Sequence, residues 1–170
     1  MNWNEKQTVR IAILDLYEGV PNQGMRGLRD IIHKFGETNH LNIELDEFDV
    51  RLKNSVPDLS YDIYLSSGGP GSPLESEGSE WEKMYFSWLD EVEKWNKDEA
   101  SSQKKFVFFI CHSFQLACRY WKLANVAKRK STAFGVFPVH LLEDGKAGTN
   151  SSDAYQRFTG KFLPGDPRRV

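Results

Sequence analysis

The sequence predicts an α/β fold: a three-layer, open, mostly parallel sheet with helices on both faces. Strand-like apolar runs alternate with segments of helical spacing, an order that favours parallel strands joined by right-handed crossovers. Residues 105–110 (KFVFFI) lack polar alternation, as strands buried on both faces do. A chain of 170 residues suits one domain. We therefore expect a single domain over residues 1–170.

The first part of the chain contains three predicted strands and one helix. Residues 9–16 (VRIAILDL) suit a buried strand, and residues 24–35 (GMRGLRDIIHKF) follow with apolar side chains at helical spacing. Residues 41–50 alternate apolar and polar side chains, which predicts a half-exposed strand. Residues 61–67 (YDIYLSS) form a short strand that runs into a glycine loop, SGGPGSP at residues 67–73.

The second part contains two further helices and a last strand besides residues 105–110. Ser79 and Glu82 have the spacing of a capping box, which begins an amphipathic helix that continues to about Asn96. Residues 112–123 resume helical spacing after the buried strand. Residues 132–142 (TAFGVFPVHLL) predict one more strand, at an edge or with a bend because a proline interrupts it.

Composition argues against several classes of protein. With 22 basic and 24 acidic side chains, the chain has no electrostatic footprint for nucleic acid. No apolar run approaches the roughly 20 residues of a membrane helix, and residues 1–9 lack a signal-peptide core, so we expect a cytoplasmic protein without a membrane partner. The two cysteines lack zinc spacing, and we expect neither a metal nor a cofactor.

Two predicted loops have the chemistry of a reactive site. Cys111 follows a strand and begins a helix, whose positive end stabilises a thiolate. The backbone N–H of His112 is then placed to donate to an oxyanion, and the glycine loop can bring a second donor close to a substrate. Ligands of open parallel sheets bind at the carboxyl ends of strands, where both loops lie. A plain turn and a buried thiol remain the alternatives for each feature alone.

Three motifs in this order resemble the class I, or triad-type, glutamine amidotransferases, and especially the GMP synthase-like members. FICHSFQ at residues 109–115 is similar to the nucleophile motif of the family. DIYLSSGGPGSP at residues 62–73 resembles its oxyanion segment, and FGVFPV at residues 134–139 resembles a strand that receives the substrate. The motifs span most of residues 9–142.

The resemblance implies a flavodoxin-like sheet and a defined chemistry. Cys111 would attack the side-chain amide of glutamine, the N–H groups of Gly69 and His112 would hold the oxyanion, and ammonia would pass to a partner synthetase domain or subunit. The resemblance assigns the substrate contacts to Gln115, Gly135, Val136 and Phe137.

The sequence departs from the family in two places. It contains no His-x-Glu pair, so we expect the chain to lack the C-terminal part of such a domain, and among its four histidines His140 is the only stand-in base worth testing. Phe109 is larger than the usual residue two places before the nucleophile and fits if it points into the apolar layer. The alternatives are a degenerate binding or regulatory module without turnover, and an enzyme similar to homoserine acyltransferases.

Overall fold

The computed structural model describes residues 8–101, 103–128 and 130. All described helices and strands lie in one compact unit that ends at Ala127, and a second unit begins at Lys128. The strand expected over residues 132–142 lies outside the described residues, as do Gly135, Val136, Phe137 and His140. In the described ranges, no helix has both the length and the hydrophobicity required to cross a membrane.

The described residues form an all-parallel sheet with helices, which confirms the predicted α/β class. The elements in chain order are β1 (Thr8–Asp15), α1 (Gln23–Thr38), β2 (Asn42–Asp49), α2 (Val50–Lys53), β3 (Ile63–Ser66), α3 (Glu80–Lys97), β4 (Phe106–Phe109) and α4 (His112–Tyr120). The strand order is β2-β1-β3-β4. The sequence did not predict α2, because four residues are too few for a periodic pattern.

Alternating side chains of β1 face two separate hydrophobic clusters. Ile11 and Ile13 pack with Met25 and Ile32 of α1 on one face of the sheet. Ala12 and Leu14 belong to the other cluster, which side chains of α3 and α4 complete. This second cluster is rich in aromatic side chains, including Tyr61, Tyr64, Tyr85 and Trp88. The sheet is therefore covered by helices on both faces.

β4 is not buried on both faces, so that prediction is wrong. Phe106 and Phe108 are 50% and 62% exposed, whereas Val107 and Phe109 pack against the aromatic cluster. The physical reason is position, because β4 is the end strand of the described sheet. The cluster under α1 reaches Ile63 of β3 but does not extend to β4.

The N-cap of α3 is present, but the capping box is not closed. Ser79 Oγ accepts a hydrogen bond from the backbone N–H of Glu82 at 3.3 Å, as predicted. The buried carboxylate of Glu82 binds Ser76 Oγ at 2.5 Å and Arg119 Nη1 at 2.8 Å. The side chain that a capping box would turn back to the helix start thus joins α3 to α4.

Leu14→Ala tests the cluster beneath α3 and α4. Leu14 is fully buried, so we expect the free energy of unfolding to fall by about 2–5 kcal/mol. Leu52→Ala is the matched control: Leu52 is 57% exposed, and we expect a change of about 0.5 kcal/mol or less. Urea unfolding followed by circular dichroism measures both, and equal losses would contradict this packing.

Candidate active site

Cys111 lies on a tight turn between β4 and α4, where the sequence predicted it. Its backbone has φ 52° and ψ −102°, a region that residues other than glycine rarely adopt, and the residue is exposed. Such strain, of about 1–3 kcal/mol, persists only where the surrounding structure holds it. The backbone of Cys111 thus has the strand-turn-helix setting that presents a nucleophile to a substrate.

The hydroxyl of Ser113 holds this turn in place. Ser113 Oγ accepts a hydrogen bond from the backbone N–H of Ile110 at 2.9 Å and donates one to the carbonyl of Ser66 at 2.7 Å. Ser66 is the last residue of β3, and both serines are fully buried. The Cys111 turn is therefore bound to the strand that leads into the glycine loop.

The glycine loop passes directly beside Cys111. A methyl group at Gly68 would lie 3.5 Å from Cβ of Cys111. A methyl group at Gly69 would collide with the carbonyl oxygen of Leu16, so only glycine lets the backbone approach this closely. The structure thus brings the two loops of the predicted site together, with Gly69 held against the end of β1.

Arg51, in α2, ties the glycine loop to the loop after β1. Its Nη1 donates hydrogen bonds to the carbonyl of Pro70 at 2.9 Å and to the carbonyl of Leu16 at 3.2 Å. Its Nη2 lies 3.3 Å from the carboxylate of Glu18. Sequence reasoning missed Arg51, because nothing in a short polar stretch indicates a contact with residues 19 and 35 positions away.

Arg119 holds the last residue of the glycine loop. Its guanidinium donates to the carbonyl of Pro73 and pairs with the buried carboxylate of Glu82. Ser76 Oγ, which donates to Glu82, lies 3.1 Å from the same Pro73 carbonyl. The sequence does contain one signal for this buried ionic contact. Arg119 lies between apolar residues of a predicted helix (LACRYW, residues 116–121).

His112 places its backbone N–H at the start of α4 and its side chain in the interior, against the backbone of Gly69. It is the first residue of α4, where a backbone N–H has no intrahelical acceptor and is available to an oxyanion. Its side chain is 2% exposed, and Nε2 has no hydrogen-bond partner among the described residues. Burial lowers the pKa of His112, and the charges of Arg51 and Arg119 lower it further, against the opposing charge of Glu82.

Gln115 lies one helical turn beyond the nucleophile. Its backbone N–H donates to the carbonyl of Cys111 at 3.1 Å, and its side chain is half-buried. The residue is thus on the turn of α4 that adjoins Cys111, where the family resemblance assigns a substrate contact.

Phe109 fits the site because its ring points into the apolar layer. It packs edge to face on Trp121, with ring centroids 5.8 Å apart, and joins the aromatic cluster. Cys118 is buried, and burial raises the pKa of its thiol, so it is the core residue that the sequence predicted. The two cysteines therefore differ in exposure, and Cys111 alone has an exposed thiol.

The described histidines other than His112 lie away from the carboxyl edge of the sheet. His33 is an exposed residue of α1, and His40 is an exposed residue just before β2, at the amino edge. Cys111 follows the carboxyl end of β4. The described ranges also contain no group of three or more His, Cys, Asp or Glu side chains arranged to hold a metal ion.

No protein-family model matches the sequence, and no curated protein matches it at a significant level. The Cys111 turn and the glycine loop beside it are therefore the features of this chain that indicate a function.

The buried imidazole predicts a pH dependence of stability. The folded pKa of His112 is lowered, so its contribution is present above the unfolded value of about 6.5 and is lost as the pH falls through the folded value. We expect the free energy of unfolding to fall below about pH 6.5, by at most about 1.4 kcal/mol per pH unit from this group. Denaturant titrations between about pH 7 and 5 measure it.

His112→Asn should flatten this slope, whereas His33→Asn, at an exposed position, should leave it unchanged. An unchanged slope in His112→Asn would show that folding does not lower the pKa of His112.

Proposed function

We propose that the protein is a class I glutamine amidotransferase-type domain that uses Cys111 to release ammonia from glutamine. The observation that carries the proposal is the exposed cysteine at φ 52° on a strand-to-helix turn, with the glycine loop beside it. A plain buried thiol does not require such a backbone or such a neighbour. The resemblance of the three sequence motifs supports the same assignment.

The proposed reaction proceeds in two stages. The thiolate of Cys111 attacks the amide carbon of the glutamine side chain, and a C–S bond forms while the carbonyl oxygen becomes an oxyanion. The N–H groups of Gly69 and His112 donate to this oxyanion. The C–N bond then breaks, the nitrogen takes up a proton and leaves as ammonia, and water hydrolyses the glutamyl thioester. Gln115 contacts the substrate.

The sheet order supports a flavodoxin-like topology. The order β2-β1-β3-β4 is that of the first four strands of the 2-1-3-4-5 arrangement. In that arrangement, ligands bind at the switch point between β1 and β3, at the carboxyl ends of the strands. The glycine loop follows β3 and touches Leu16 just after β1, so the proposed oxyanion site is next to that switch point.

We propose that the ammonia passes to a synthetase domain or subunit, which activates the molecule that accepts it. Release of free ammonia to solvent would be an unproductive outcome for such a site. A free thiol nucleophile fits the reducing cytoplasm. The proposed reaction uses the side chain of Cys111 and backbone donors, and it requires no metal or cofactor.

A degenerate module that binds but does not turn over glutamine is the second candidate. The observation that favours it is His112, whose imidazole is buried and carries a lowered pKa, while the other described histidines are distant from the carboxyl edge. A thiol without a base still binds and reacts with an electrophile, but it releases ammonia slowly. Activity separates the two candidates.

A glutamine-like chloroketone should alkylate Cys111 faster than a chloroketone without the glutamine side chain. Peptide mapping of the adduct identifies the labelled residue, and released ammonia is measured with glutamine as substrate. Cys111→Ala should abolish both the adduct and the ammonia, whereas Cys118→Ala should retain both, because Cys118 is a buried core residue.

Labelling at other residues, or equal rates with the two chloroketones, would contradict a glutamine site. Specific labelling without ammonia release would favour the degenerate module. Thioester formation from an acyl donor, but not from glutamine, would favour the homoserine acyltransferase-like alternative.

Gly69→Ala should impair turnover more than thiol reactivity. The added methyl group displaces the backbone from Leu16, so the oxyanion donor moves, and loss of one such donor lowers kcat by roughly a hundredfold or more. Gly27→Ala is the matched control, because a methyl group there meets nothing within 4 Å. Iodoacetamide alkylation of Cys111 monitors the thiol separately. Unchanged kcat in Gly69→Ala would contradict the role of this donor.

A further inference from the structure

The phenol of Tyr17 occupies a space that two glycines leave open beside Cys111. Tyr17 is in the loop after β1, and a methyl group at Gly68 would lie 3.1 Å from its hydroxyl oxygen. A methyl group at Gly24, at the start of α1, would lie 2.6 Å from the same oxygen. The same methyl position at Gly68 is 3.5 Å from Cβ of Cys111. The hydroxyl is therefore near the nucleophile.

The backbone of Tyr17 is fixed, while its hydroxyl keeps a free donor. The backbone N–H donates to Asp15 Oδ1 at 2.7 Å, and the carbonyl accepts from the N–H of Val20 at 3.0 Å. No hydrogen bond to another described residue is among the groups that influence its hydroxyl, and the residue is half-buried. By contrast, the fully buried Tyr85 has a partner, Ser66 at 2.7 Å.

Electrostatics keep this donor protonated. Burial raises the pKa of Tyr17, and negative charge at Cys111 and at Asp15 raises it further. The imidazole of His112, on α4, is buried with a lowered pKa and is neutral at the pH where the thiol reacts. A phenol whose pKa is raised by a nearby thiolate keeps its proton, and it is able to donate a hydrogen bond to that thiolate.

We propose that Tyr17 is a positioning residue for the nucleophile, and that its hydroxyl donates a hydrogen bond to the Cys111 thiolate. This bond stabilises the anion and directs the sulfur towards the glycine loop, where the oxyanion donors lie. No bond to carbon is made or broken at Tyr17, and the phenol keeps its proton. The role of this hydrogen bond in catalysis rests on the proposed glutaminase function, but the existence of the hydrogen bond does not.

The test is the pH dependence of Cys111 alkylation by iodoacetamide. A Cys118→Ala background leaves Cys111 as the one thiol. Tyr17→Phe should move the midpoint of the rate profile to higher pH by about half a unit, and slow alkylation about threefold at neutral pH, a moderate effect because the thiol is exposed. A merely structural role for the ring would leave the midpoint unchanged.

Tyr61→Phe is the matched control. Tyr61 is a buried tyrosine, and its hydroxyl donates to Asp46 at 2.9 Å, but it precedes β3 at the amino edge of the sheet. We expect its alkylation profile to match that of the parent chain. Equal profiles for Tyr17→Phe and the parent, or equal shifts in both variants, would overturn the proposal.

A second measurement uses the unmutated ring and so does not depend on the folding of Tyr17→Phe. With tyrosine labelled for NMR at Cζ, alkylation of Cys111 by neutral iodoacetamide removes the thiolate charge, and the titration midpoint of Tyr17 should fall. An unchanged midpoint would overturn the proposal. Both readouts are independent of turnover: a shift without ammonia release would reject the glutaminase function alone, whereas ammonia release without a shift would reject the role of Tyr17 alone.

Discussion

The hydroxyl of Ser113 reinforces the junction between the carboxyl ends of β3 and β4. It binds the last carbonyl of β3 and the N–H of Ile110, at the turn where Cys111 takes its strained conformation. The N–H of Ile110 also donates directly to the carbonyl of Ser66, at 3.0 Å. Both loops of the candidate site begin at these strand ends, so these hydrogen bonds together fix where the two loops start. Because the hydroxyl is fully buried, water does not compete for it.

The glycine loop is held at its middle and at its last residue by arginines from different helices. Arg51 binds the carbonyl of Pro70, and Arg119 binds the carbonyl of Pro73. Burial lowers the pKa of His112, and these two positive charges lower it further. Donors that are fixed before the substrate arrives require little reorganisation during reaction, which suits an oxyanion site.

Much of the fold could be predicted from the sequence, because each element has a local signal. The periodicities of the strands and the long helices, and the N-cap at Ser79, are short-range properties of the chain. Burial was harder to predict. Phe106 and Phe108 have the composition of a central strand, but their exposure depends on which elements pack over β4. Glu82 likewise has the local spacing of a capping box, but in the structure its carboxylate pairs with an arginine 37 residues away.

By itself, the sequence determined the α/β class, the strand-to-helix turn at Cys111 and the position of the glycine loop, because strand, turn and helix signals are local. Tertiary structure decided which groups surround the thiol. Arg51 and Tyr17 approach the site from elements distant in sequence, and sheet pairing alone brings them together. The need for glycine at Gly69 also appears only in three dimensions, where the carbonyl of Leu16 excludes any side chain.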